Sequence, residues 1–171
     1  MMLNKMTANQ NRLPASSWTL LLSMTMLLLI PVISFGKDKR CIEGDCKDGH
    51  GSFEYETGTI YHGDWVNGVE HGHGEMITMD GVYIGSYENG APHGKGIFKL
   101  KSGRTYSGEW EYGMAHGMGE ETYSNGSSYK GQWIKGLPNG YGVSTRGGAV
   151  DKNGYWIDGE FVGKEKPWNI D

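Results

Sequence analysis

The chain repeats itself. Tyr61-His62-Gly63-Asp64-Trp65-Val66-Asn67-Gly68 is followed by Tyr83-Ile84-Gly85-Ser86-Tyr87-Glu88-Asn89-Gly90. Tyr106-Ser107-Gly108-Glu109-Trp110-Glu111-Tyr112-Gly113 and Tyr129-Lys130-Gly131-Gln132-Trp133-Ile134-Lys135-Gly136 come next. A period this short restricts the fold severely. Each copy must be one supersecondary unit that buries its apolar face only by stacking on its neighbours. Every copy also has a second half: His71-Gly72-His73-Gly74, His93-Gly94-Lys95-Gly96, His116-Gly117-Met118-Gly119 and Asn139-Gly140-Tyr141-Gly142. Beyond the last glycine of the first three copies, Asp80-Gly81, Ser102-Gly103 and Asn125-Gly126 mark a further turn at a constant distance. Upstream, Asp48-Gly49-His50-Gly51 and Thr57-Gly58 supply the second half of an earlier unit.

The spacing within a copy is that of a strand. Tyr61, Gly63 and Trp65 are two apart and share one face, as Gly72, Gly74 and Met76 do on the returning segment. A glycine has no Cβ and leaves a trough in which a neighbouring ring can lie. The Asn-Gly and Asp-Gly pairs suit the positive φ of tight hairpin turns. Each copy therefore reads as a β-hairpin, with strands opening near Tyr61, Tyr83, Tyr106 and Tyr129. The expected ladder rings are Tyr61, Trp65, Tyr83, Tyr87, Tyr106, Trp110, Tyr129 and Trp133. The 29 glycines among 171 residues lack the every-third spacing of collagen, and the many aromatics argue against disorder.

These residues resemble the MORN repeat, whose signature runs Tyr-x-Gly-x-Trp/Tyr-x-x-Gly-x-x-x-Gly-x-Gly. Residues 61–142 carry four consecutive copies, and the likeness extends over about residues 41–163. The resemblance implies an all-β fold, an elongated single-layer stack of hairpins; the composition of residues 1–36 places an N-terminal hydrophobic helix before it. It divides the chain into residues 37–60, an N-terminal capping part-repeat with a cysteine pair; residues 61–142, the four repeats; and residues 143–171, a degenerate C-terminal cap. In that cap the expected turn glycine is displaced to Gly147-Gly148, and Lys152 to Phe161 echo a strand start only loosely. The resemblance also implies contact with phospholipid or assembly with other proteins.

Residues 1–36 read differently. Lys5 and Arg12 precede an uncharged run from Ala15 to Gly36, and Ser34-Phe35-Gly36 offers a small-residue cleavage site. Cleavage near Gly36 would leave a secreted or periplasmic domain. The alternative is a membrane anchor over residues 15–36, which are just long enough to span a bilayer. Cys41 and Cys46 follow closely, and such a pair in an exported chain reads as a disulfide.

Reactive constellations are scarce. His71, His93 and His116 recur at one repeat position, roughly 9–10 Å apart, and cannot converge on one metal. His71 and His73 are closer but too few, and no carboxylate pair or phosphate loop is recognisable. No catalytic, cofactor-binding or metal-binding residue is therefore assigned, and no cofactor. The ladder rings could stack sugars in a cell wall, or simply form the core of so small a fold. Residues 37–171 carry 14 Lys and Arg against 20 Asp and Glu, a net charge of −6, which disfavours nucleic acid and anionic lipid. Lys95, Lys99, Lys101 and Arg104 form the best local candidate for lipid contact. The leading expectation is a non-catalytic scaffold that binds an unidentified protein at or beyond a membrane. A phospholipid-surface module comes second, and a carbohydrate-binding one third.

Overall fold

The hairpin tips fix the register from which the rest follows. At Asn67-Gly68, Asn89-Gly90, Tyr112-Gly113, Lys135-Gly136 and Asp158-Gly159, both residues of each pair have positive φ. That is the type I′ turn, whose twist matches that of the strands it joins. Each tip also leans on the preceding unit, since the Gly90, Gly113, Gly136 and Gly159 amides donate to the carbonyls of Glu70, Pro92, Ala115 and Pro138 at 2.9 Å.

The computed structural model describes residues 40–167. The first hairpin is β1 (Arg40–Gly44) and β2 (Gly49–Glu54). Then come β3 (Ile60–Val66) with β4 (Val69–Ile77), and β5 (Gly81–Glu88) with β6 (Ala91–Leu100). The chain continues with β7 (Thr105–Glu111), β8 (Met114–Thr122), β9 (Ser128–Ile134) and β10 (Leu137–Arg146). It closes with β11 (Ala149–Ile157) and β12 (Glu160–Gly163). All twelve strands lie in chain order in one open antiparallel sheet, and the described residues contain no α-helix. The expected hydrophobic helix falls in residues 1–36, outside the described residues. Strands open one or two residues before the expected tyrosines.

One row of glycines crosses the sheet. Gly51 pairs with Gly63, Gly63 with Gly74, Gly74 with Gly85 and Gly85 with Gly96. The row runs on through Gly108, Gly119, Gly131 and Gly142 to Gly154. Tyrosine rings occupy the space this row leaves. A Cβ on Gly74 would sit 2.5 Å from a Tyr61 ring carbon, and one on Gly119 would sit 2.3 Å from the Tyr106 hydroxyl. The trough is thus filled by rings, as the spacing predicts.

Three details depart from the sequence reading. First, Gly72 and its equivalents do not repeat the role of Gly74. Gly63 pairs with Gly74 but Asp64 pairs with His71, so two residues bulge from β4, and the other three full hairpins do the same. Gly72, Gly94, Gly117 and Gly140 carry the positive φ of that bulge. The residue after each strand-opening Tyr-x-Gly can cap it: Asp64 Oδ2 accepts the His73 amide at 2.9 Å, and Gln132 Oε1 accepts that of Tyr141 at 2.6 Å. Second, Gly81 is no left-handed turn residue but the first residue of β5, paired with Leu100. The connection from Gly74 to Gly85 is one residue shorter than its equivalents, which is why the second copy starts one residue early. Third, the cap is less degenerate than it reads. Trp156, one repeat beyond Trp133, is buried and donates from Nε1 to the Gly142 carbonyl at 3.3 Å. Lys152 replaces the tyrosine there and lies 5.6 Å from the Trp156 ring centroid, a cation–π contact.

Candidate functional site

The two faces of the sheet differ. On one, rings interlock edge-to-face in the order Trp65, Tyr61, Tyr87, Tyr83, Trp110, Tyr106, Trp133, Tyr129, Trp156, with centroids 4.9–5.3 Å apart. Such pairs gain about 0.5–1.5 kcal/mol beyond their buried area. Seven of the eight expected ladder rings are at most 5% exposed, and Trp110 is half-buried. Except at Tyr87, whose hydroxyl has no partner, their polar atoms are met by backbone. Tyr61, Tyr83, Tyr106 and Tyr129 donate to the carbonyl three residues on, at 2.9–3.1 Å. Trp65, Trp110 and Trp133 donate to Gly51, Gly96 and Gly119 at 3.1–3.2 Å. Burial pushes the Tyr83 and Tyr129 phenols up to about 12. These rings are the core, and they present no flat platform on which a sugar could stack.

The ladder row changes character along the sheet. Met76 and Phe98 occupy it in the first two full units, and Glu121 and Ser144 hold the same place in the next two. Glu121 is only 3% exposed and is met by Arg104 Nε and by the Tyr123 hydroxyl at 2.5 Å. A cleft of 390 Å³ opens beside them, lined by Tyr123, Ser144, Arg146 and Trp156 among others.

The opposite face carries a row from Ser52 through His62, Glu75, Ile84, Ile97, Ser107 and Glu120 to Lys130. Its middle is apolar and open. Ile84, Ile97 and Met118 are 49%, 39% and 53% exposed, and they line a 520 Å³ trough with Lys95 and Glu109. Apolar groups rimmed by opposite charges resemble the anatomy of a protein interface. Nothing in the local sequence marks this trough, because Ile84 and Ile97 lie on different strands and meet only through the β5–β6 register.

The predicted basic cluster is not one patch. Lys95 and Lys99 project from the trough side of β6, Lys101 sits in the following turn, and Arg104 turns to the ladder face to pair with Glu121. Cys41 and Cys46 do join, with Cα atoms 5.6 Å apart. Of the recurrent histidines, His93 and His116 pair with Glu88 and Glu111 at 3.3 and 3.2 Å. His50 and His62, which the spacing does not single out, meet across β2 and β3. The His50 hydrogen bond, followed by the His73 amide, holds the Asp64 carboxyl below the usual carboxylate range.

A stack of bulged hairpins on one glycine row, with rings packed along one side and an apolar trough open on the other, defines a β-repeat protein. The MORN repeat profile matches residues 61–82, 83–103, 106–128 and 129–147, and the chain belongs to the MORN-repeat family. MORN repeats are in general protein- and lipid-binding repeats rather than catalytic ones. A search of curated proteins gave no match to the chain.

Proposed function

We propose that this protein is a non-catalytic scaffold that binds a protein partner at or beyond a membrane. The open trough over Ile84, Ile97 and Met118 carries this reading. A single-layer sheet that packs one face with rings and leaves isoleucine and methionine exposed on the other has a ready docking surface. The net charge of −6 over residues 37–171 and the division of the lysines between trough and turn disfavour anionic lipid, which gains about 1 kcal/mol per basic residue near the surface. The Cys41–Cys46 disulfide supports an oxidising compartment, and with it the reading of residues 1–36 as a signal peptide or of residues 15–36 as an anchor. Among the described residues no helix is long and apolar enough to cross a membrane.

The test compares two variants. Crosslinked capture of a partner should be lost with Ile97→Asp, which leaves the ladder face untouched, and kept with the Lys99→Glu/Lys101→Glu double variant. The protein should stay out of floating anionic liposomes at about 150 mM salt, where the Debye length is about 8 Å. Strong flotation abolished by Lys99→Glu/Lys101→Glu would instead make membrane recognition the primary function.

A further inference from the structure

Two imidazoles meet on the trough side of the sheet, over β2 and β3. The register pairs Ser52 with His62 and His50 with Asp64, so strand alternation puts all four side chains on one face. His50 Nε2 and His62 Nε2 stand 3.2 Å apart. The other nitrogen of each ring is held: His50 Nδ1 by Asp64 Oδ1 at 2.9 Å, His62 Nδ1 by Ser52 Oγ at 2.6 Å. Asp64 is anchored in turn, because its second oxygen accepts the His73 amide.

We propose that His50 and His62 form a binding site for a divalent transition cation of the zinc or copper class. Metal-binding imidazoles are characteristically held at the second nitrogen by a carboxylate or other polar partner, which fixes the tautomer and aims the free lone pair. Here both rings have a polar partner at Nδ1, and the two Nε2 atoms, hydrogen-bonded to each other, face the same small space. The spacing agrees. A cation about 2.1 Å from each nitrogen would see the pair at an angle of about 100°. The ring centroids lie 4.7 Å apart with planes at 88°. Two rings converging on such a cation would have centroids about 4.9 Å apart, and rings aimed straight at each other in a hydrogen bond about 5.5 Å. The observed distance is the converging one. Among the described residues no three His, Cys, Asp or Glu side chains group around a metal position, so the protein supplies two nitrogens and water completes the shell. His50 is 57% exposed at its side chain, which leaves the site open to entry.

Calorimetric titration of zinc into the full-length, metal-stripped chain tests this. One saturable zinc per chain is expected. His50→Ala and His62→Ala should each remove the binding, with His50→Gln and His62→Gln standing in should alanine unfold the chain. Asp64→Asn keeps both ligands and should weaken binding about 10–100-fold, as loss of a partner to a metal-bound histidine does. His93→Ala and His116→Ala should change nothing. Melting curves without zinc separate lost binding from lost fold. Undiminished binding in a folded His62 variant, or no saturable heat with the folded wild type, overturns the proposal.

Discussion

Tyr87 stands where the neighbouring units carry tryptophan, and the exchange leaves a defect. Trp65, Trp110, Trp133 and Trp156 each donate an indole N–H to a glycine carbonyl on the preceding strand. Tyr87 keeps the edge-to-face contacts, with Tyr61 and Tyr83 centroids at 4.9 and 5.2 Å, but its hydroxyl is buried without a partner. Burial, with Tyr83 and other neighbours adding to it, pushes the phenol well above its ordinary range, so it stays neutral and cannot recover the loss by ionising. Tyr87→Trp should restore the repeat's hydrogen bond, with the Gly74 carbonyl as acceptor, and raise stability by about 1 kcal/mol. An increased urea midpoint at unchanged slope is the expected result. A lowered one would mean that the larger ring collides with Tyr55, which packs on the same cluster and donates its hydroxyl to Glu70. At this scale the sequence was highly legible, because a ring and a glycine two residues apart in a strand must share a face. What it hid was pairing across strands. His50 and His62 belong to different strands of a chain with several more obvious histidines, and only the β2–β3 register brings them together.

Hairpins were legible from their turns, and their irregularities were not. Asn67-Gly68 and Asn89-Gly90 are ordinary type I′ sequences, but the same left-handed geometry is imposed on Tyr112 and Lys135, with φ of 48° and 50°. A side chain with a Cβ costs roughly 1–2 kcal/mol in that region, and asparagine costs less. Lys135 makes the cleaner test, since Tyr112 also packs against the His93 ring. Lys135→Asn should raise the melting temperature by several degrees, the shift expected of about 1 kcal/mol in a domain of this size. An unchanged temperature would show that the turn is held by its contact with the previous unit, the Gly136 amide on the Ala115 carbonyl, rather than by its own preference. The bulge escaped the sequence reading for a related reason. Gly72 and Gly74 are two apart, and an unbroken strand would put both in the trough. The count from the tip decides otherwise: Val66 faces Val69, whereas Tyr61 faces Met76, so two residues must be left over. Glycine serves there for its backbone, and in the trough for its missing side chain.

A stack in which each hairpin touches only its neighbours has stability distributed along a line, and its ends are the weak points. The two ends here are closed differently. At the C-terminal end Trp156 and Phe161 finish the ladder, 5.4 Å apart, with the Lys152 ammonium 5.6 Å from each ring. At the N-terminal end no tyrosine precedes Gly51, and a Cβ built there would meet Cys46 Sγ at 2.9 Å. The disulfide sulfur thus takes the place that a phenol ring takes in every full unit, and Cys46 packs on the cluster of Tyr61, Trp65, Tyr83 and Tyr87. It also ties β1, the open edge of the sheet, to the turn that follows it, at a place where unpaired amides invite pairing with another chain. The ring it closes is short, so chain entropy contributes about 2 kcal/mol. Reduction should therefore loosen the end without unfolding the stack. Hydrogen exchange on the reduced protein should show β1 and β2 amides losing protection while those of β5 to β8 keep theirs. The Cys41→Ser/Cys46→Ser variant should repeat that pattern without reductant. If protection falls equally in β5 to β8, the ladder melts as a single cooperative unit and the disulfide stabilises the whole sheet rather than its edge.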